Sequence, residues 1–62
     1  MTATIIEQIL AIRDGGETNM FDANMVTWIA NREGYYELVS YLADNKREYS
    51  LFILTGKPRE DA

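Results

Sequence analysis

The chain contains no cysteine and no histidine. Without cysteine it has no disulfide, no thiolate nucleophile and no cysteine-ligated zinc site. Without histidine it lacks the usual general base near neutral pH and the commonest metal ligand. Ser40 and Ser50 therefore have no histidine to activate them, and the usual catalytic constellations are incomplete. We expect a protein that is not an enzyme and that binds neither a cofactor nor a metal.

Long apolar runs and positive charge are also scarce. No run approaches the ~18 apolar residues of a membrane span, and no basic segment precedes an apolar one as in a signal peptide. Together with the lack of cysteine, this predicts a cytoplasmic protein. The chain has six Lys and Arg and ten Asp and Glu, which gives a net charge of −4. Such a surface repels phosphates, so nucleic acid is not the expected partner.

What is present indicates one small helical domain. The 62 residues are 47% hydrophobic, which suits a single globular unit. We predict an all-α fold, a small bundle of four short helices at about 4–14, 22–33, 35–43 and 45–55. The predicted domain spans 1–56, and the polar residues 57–62 are expected to form a flexible tail. Because so small a core is marginal, a homodimer is one way to stabilise it.

The helix starts are predicted from capping residues. Thr4 and Glu7 have the spacing of a capping box, and Asn45 with Glu48 repeats it at the fourth helix. Asp22 is a favourable N-cap for the second helix. The predicted helix stops are the glycines Gly15, Gly16, Gly34 and Gly56.

Apolar residues recur at helical spacing and predict the buried faces. These faces are Ile5, Ile9 and Ile12, then Met25, Val26 and Ile29, then Tyr35, Leu38, Val39 and Leu42, then Tyr49, Phe52 and Ile53. Phe21 and Val26 occupy the two positions of a hydrophobic staple. The run 49–54 could also form a buried strand, but its flanking signals and the lack of a partner strand favour a helix.

More apolar side chains are present than four inward stripes require. On a helical projection Trp28, Tyr41, Leu51 and Leu54 fall away from the predicted inward faces. One interpretation is that the bundle wraps the fourth helix and that Trp28 covers the core. The other is a protein-interaction surface, since aromatic anchors ringed by polar residues are typical of binding hot spots. The candidate interaction residues are Met20, Trp28, Tyr36, Tyr41, Leu51 and Leu54.

The second and third helices, joined at Gly34, have the outline of a helix-turn-helix. The third helix would be the reading helix, yet it holds Glu37 and Asp44 and no Arg or Lys. Such a helix has no side chain to pair with phosphate or guanine. A hairpin used for packing explains the pattern better, and a small DNA-associated regulator stays an alternative.

The order of several motifs resembles a family of short proteins from Gram-positive bacteria and their phages, DUF5049. The motifs are Ala11-Ile12-Arg13, Thr18-Asn19-Met20-Phe21-Asp22, Ile29-Ala30-Asn31, Gly34-Tyr35-Tyr36-Glu37-Leu38-Val39, and Glu48-Tyr49 with Phe52-Ile53-Leu54-Thr55-Gly56. The resemblance covers Ile5 to Gly56. It transfers no activity and no functional residue. It implies a phage or prophage accessory protein that binds and modulates, or inhibits, a host protein such as a defence factor. A self-associating structural protein is the remaining alternative.

Overall fold

A computed structural model describes residues 1–56, and residues 57–62 with the predicted tail lie outside the described part. The described chain forms four helices and no strand, so the all-α prediction is confirmed and the strand alternative for 49–54 is wrong. The helices are α1 (Ala3–Gly15), α2 (Ala23–Glu33), α3 (Tyr36–Asp44) and α4 (Lys46–Thr55). No helix within 1–56 is both long enough and apolar enough to cross a membrane.

Helix α3 lies at the centre of the bundle. Its backbone approaches α1, α2 and α4, and α1 and α2 also pack on each other, whereas the main backbone neighbour of α4 is α3. The core formed between the helices is entirely hydrophobic in the described residues. Its members are Ile5, Ile9, Ile12, Val26, Ile29, Ala30, Leu38, Leu42, Tyr49 and Phe52. Burying these side chains is the main favourable term in folding.

The N-cap of α1 lies two residues before the predicted one, Thr4. The N-cap is Thr2, whose hydroxyl oxygen accepts from the Ile5 backbone N–H at 3.2 Å. Thr4 lies inside the first turn, so the predicted capping box with Glu7 is wrong. Both threonines have a suitable side chain, and the extended backbone at Thr2 decides between them.

Helix α2 has well-made ends. The Asp22 carboxylate accepts from the Met25 N–H at 3.2 Å, which confirms the predicted N-cap. At the other end Gly34 adopts a left-handed conformation with φ 79°. The Gly34 and Tyr35 N–H groups then donate to the carbonyls of Asn31 and Ala30. These paired bonds form a Schellman motif, which requires the positive φ that glycine tolerates.

Three predicted positions differ from the structure. Phe21 is 54% exposed while Val26 is fully buried, so Phe21 does not act as a buried staple. Met25 is 40% exposed instead of facing the core. Tyr41, predicted on the polar side of α3, is half-buried and packs against the core. Sequence pattern alone therefore does not fix the burial of these three side chains.

The junction between α3 and α4 departs most from the prediction. Asn45 makes no side-chain N-cap bond to α4. Its amide instead donates to the Tyr41 carbonyl at 3.1 Å, which closes the end of α3. The start of α3 likewise has no local side-chain cap. There the Gln8 side-chain oxygen, on α1, accepts from the Leu38 N–H at 3.2 Å. One helix thus supplies the cap of another.

A candidate protein-interaction surface

Large apolar side chains remain exposed on three helices and one loop. They are Phe21 (54%), Met25 (40%), Trp28 (58%), Tyr36 (67%), Leu51 (52%) and Leu54 (71%). Four of the six predicted candidates, Trp28, Tyr36, Leu51 and Leu54, are among them. The other two candidates, Met20 and Tyr41, are half-buried against the core. The interpretation in which the bundle wraps α4 and Trp28 covers the core is therefore wrong, because these side chains stay in contact with solvent.

Leu51 and Leu54 lie together on the outer face of α4. Leu51 follows Arg47 by four residues, and Leu54 follows Leu51 by three. This spacing places all three residues on one side of the helix. The opposite side of α4 is anchored by Tyr49 and Phe52, both buried in the core. Helix α4 is thus apolar both toward the bundle and toward solvent.

Trp28 belongs to an exposed network on α2. The Arg32 guanidinium lies 5.5 Å from the centre of the Trp28 ring, within the range of a cation–π contact. Arg32 also donates two hydrogen bonds to the Glu17 carboxylate, at 2.8 and 2.5 Å, and one to Glu33 at 2.9 Å. The bond from Arg32 holds the pKa of Glu17 below its usual value. The network links the loop between α1 and α2 to the last turn of α2.

Tyr41 is engaged within the protein. Its hydroxyl donates to the Glu48 carboxylate at 3.1 Å and so joins α3 to α4. Together with its partial burial, this bond gives Tyr41 a role in the fold. Tyr36, by contrast, is the first residue of α3 and stands 67% exposed.

A groove of about 370 Å³ lies between α1 and α4. Helices α1 and α4 supply most of its wall, and Met20 contributes from the α1–α2 loop. It is lined by Ile6, Ile9, Leu10, Arg13, Met20, Phe52, Ile53 and Gly56. Of the residues that line it, only Arg13 is charged. We refer to this feature as the α1–α4 groove.

A buried hydrogen bond holds Met20 at the groove. The Tyr49 hydroxyl donates to the Met20 backbone carbonyl at 2.5 Å. Tyr49 is fully buried, and burial raises the pKa of its hydroxyl to about 12. The exposed Glu17–Arg32 pair links the same loop to α2, but exposed pairs contribute little, and the buried Tyr49 bond is what holds Met20 at the groove wall.

Met20 was predicted from the sequence as an interaction residue, but the rest of the groove was not. Ile6 and Leu10 extend the apolar stripe of α1 beyond its buried face, and Arg13 continues that line by one turn. The width of this apolar stripe was the sequence signal that pointed to the groove. It does not reveal that Ile53 of α4 lies across from α1, because that juxtaposition depends on the packing of α4. Within residues 1–56, no group of three or more His, Cys, Asp or Glu side chains is placed to hold a metal ion.

Comparison with known proteins identifies the family. The profile described as "Domain of unknown function (DUF5049)" matches residues 1–57. The chain therefore belongs to this family, as its motifs predicted. No curated protein and no solved structure matches it.

Proposed function

We propose that the chain is a non-catalytic protein-interaction module that binds a host protein through the α1–α4 groove. In the setting that the family resemblance implies, it is a phage or prophage accessory protein that modulates or inhibits its target, such as a defence factor. The observation that carries the proposal is an apolar groove, open to solvent and lined by residues from two helices and a fixed loop. Within residues 1–56 that surface stays open to solvent.

The size and charge of the groove describe the segment that it suits. Its volume of about 370 Å³ falls at the low end of the roughly 300–1,000 Å³ range of ligand pockets. A few large apolar side chains of a partner fit this space better than a bulky cofactor. Arg13 at the wall is 59% exposed in its side chain. We therefore expect a partner segment with apolar anchors beside a carboxylate, as in helix-in-groove recognition.

Affinity capture from a lysate of a Gram-positive bacterium tests this proposal. The bait is the folded chain, compared with Leu10→Glu and Arg13→Glu in the groove and with Trp28→Ala outside it. We expect one host protein to be retained by the wild type and by Trp28→Ala, and to be lost with both groove variants. Circular dichroism of each bait checks that it is folded. The captured protein, once purified, should bind the wild type directly in calorimetry.

Two results contradict the proposal. One is the absence of any protein retained specifically by the folded wild-type bait. The other is a captured protein whose binding is the same for Leu10→Glu, Arg13→Glu and the wild type. DNA binding, the alternative from the helix-turn-helix outline, gains no support from α3, which exposes Glu37 and Tyr36 at its start. A gel shift with mixed-sequence duplex DNA at low salt tests this alternative, and a shifted band would support it.

A further inference from the structure

The α1–α4 groove is lined by one charged side chain and otherwise by apolar residues. Ile9 and Phe52 lie buried at its base. Leu10 and Ile53 are half-buried in its walls and keep apolar surface toward the open space. Arg13 is the only described lining residue whose side chain carries a charge. We propose that this groove binds a free medium-chain fatty acid, with the aliphatic chain between α1 and α4 and the carboxylate on Arg13.

The chemistry of the walls restricts what can enter the groove. A polar atom that leaves water without gaining a hydrogen bond is unfavourable. The walls offer such an atom few partners, because the Met20 carbonyl already accepts from the Tyr49 hydroxyl and the lining side chains other than Arg13 are apolar. A sugar or a nucleotide therefore loses more hydrogen bonds than it gains there. A plain hydrocarbon chain loses none.

The groove is also elongated, with its charge toward one end. The α1 wall runs from Ile6 to Arg13, which corresponds to about 10 Å along the helix axis. A volume of about 370 Å³ is at the low end of the range for small-molecule sites, which are mostly apolar with a few placed polar groups. An unbranched chain with a single charged end matches both the shape and the position of Arg13.

Arg13 is suited to receive a carboxylate. Its Nε atom lies 3.9 Å from the Asp14 carboxylate, and the two side chains are 59% and 77% exposed. So long and exposed a pair contributes little. A guanidinium pairs with a carboxylate through two parallel N–H groups, and a ligand held by the groove offers that geometry. Because Arg13 is exposed, the bound carboxylate also keeps part of its hydration.

The inference shares the groove with the proposed function but needs no host protein. A fatty acid in the groove fills the space that the apolar anchors of a protein partner would take. That competition rests on the proposed function, whereas the binding of the acid does not.

A titration of the purified chain with octanoate, followed by the methyl NMR signals, tests the proposal. We expect saturable shifts of the Ile6, Leu10 and Ile53 signals, because these residues line the groove. The exposed Leu54 lies outside it and should not respond. For so small a ligand the dissociation constant should be about 1 mM.

The chain length of the acid gives a second readout. From hexanoate to octanoate, affinity should rise roughly two- to fourfold for each added methylene, since the groove buries part of each one. The gain should level off at decanoate and longer acids, whose chains exceed the length of the groove. Adsorption to exposed leucines has no such limit and would keep strengthening.

Three variants separate the charge from the apolar walls. Arg13→Gln should weaken octanoate about fivefold and leave the binding of octanol unchanged. Arg47→Gln is the matched control, because it removes the same charge from an exposed residue outside the groove, and it should bind octanoate like the wild type. Leu10→Glu should lose both ligands, and circular dichroism checks that it is folded.

Three outcomes overturn the inference. They are a titration without saturable shifts, shifts confined to Leu51 and Leu54, and an Arg13→Gln variant that binds octanoate as tightly as the wild type. The two proposals fail separately. If the lysate yields no host protein, octanoate binding still stands, and if octanoate does not bind, the capture result is unaffected.

Discussion

Helices α2 and α4 both pack against α3, but they are held in different ways. Asp22 caps the start of α2 through a side-chain bond, and Gly34 closes its end in a Schellman motif. Helix α4 has no side-chain cap at its start, and it is held mainly by packing, with Tyr49 and Phe52 buried in the core, and by the bond from Tyr41 to Glu48. Local residues therefore define α2, whereas α4 depends on what it packs against. The element that depends most on packing is also the one that leaves leucines exposed.

The largest test of this difference is the removal of a core anchor of α4. Phe52 is 6% exposed, and Phe52→Ala should lower the free energy of unfolding by about 3–5 kcal/mol, through lost burial and a cavity. Leu54, on the same helix and 71% exposed, is the control. Leu54→Ala should change it by no more than about 0.5 kcal/mol. Urea unfolding of the dilute protein, followed by Trp28 fluorescence, measures both. Similar losses from the two variants would show that α4 is not anchored in the core through Phe52.

A second test uses the ionisation of Tyr49. Its pKa is about 12 in the folded chain, against 10.0 for the ordinary group, so the folded state holds this proton more tightly. Between pH 10 and 12 the unfolded state therefore loses the proton first. The contribution to the free energy of unfolding is complete below pH 10 and falls by about 3 kcal/mol as the pH rises through 12.

The variant Tyr49→Phe isolates that contribution. It removes the bond to the Met20 carbonyl and should cost about 1–2 kcal/mol at neutral pH. It should also flatten the alkaline loss, because the titrating group is gone. Denaturant midpoints at neutral pH and at pH 10 to 12 measure the two effects. An alkaline loss equal in Tyr49→Phe and in the wild type would assign it to other groups.

The smallest effects compare two residues that precede a helix. Asp22→Asn should leave stability nearly unchanged, since both side chains serve well as N-caps. Asn45→Asp should lower it by about 1 kcal/mol, because the aspartate loses the amide that donates to the Tyr41 carbonyl. Thermal unfolding of the two single variants measures both changes in stability. If Asn45→Asp stabilises the protein, Asn45 acts as the N-cap of α4 after all.

The sequence predicted the four helices because their signals are local. The stripe Ile5, Ile9 and Ile12 and the stop at Gly34 depend only on residues within one or two turns. It also predicted correctly that Trp28, Leu51 and Leu54 are surplus to the core, since a helix can bury only one face without further neighbours. It was wrong about Met25 and Tyr41, whose burial depends on how close α3 and the adjoining helices come.

The sequence by itself determined the helical class, the turn at Gly34 and the apolar excess of α4, because hydrogen bonding and periodicity act over a few residues. Only the tertiary structure decided that Gln8 of α1 caps α3 at Leu38 and that Tyr49 fixes Met20 beside the groove. The first of these bonds joins residues 30 positions apart and the second residues 29 positions apart. No local sequence pattern predicts these two contacts, since they form only once the helices have packed.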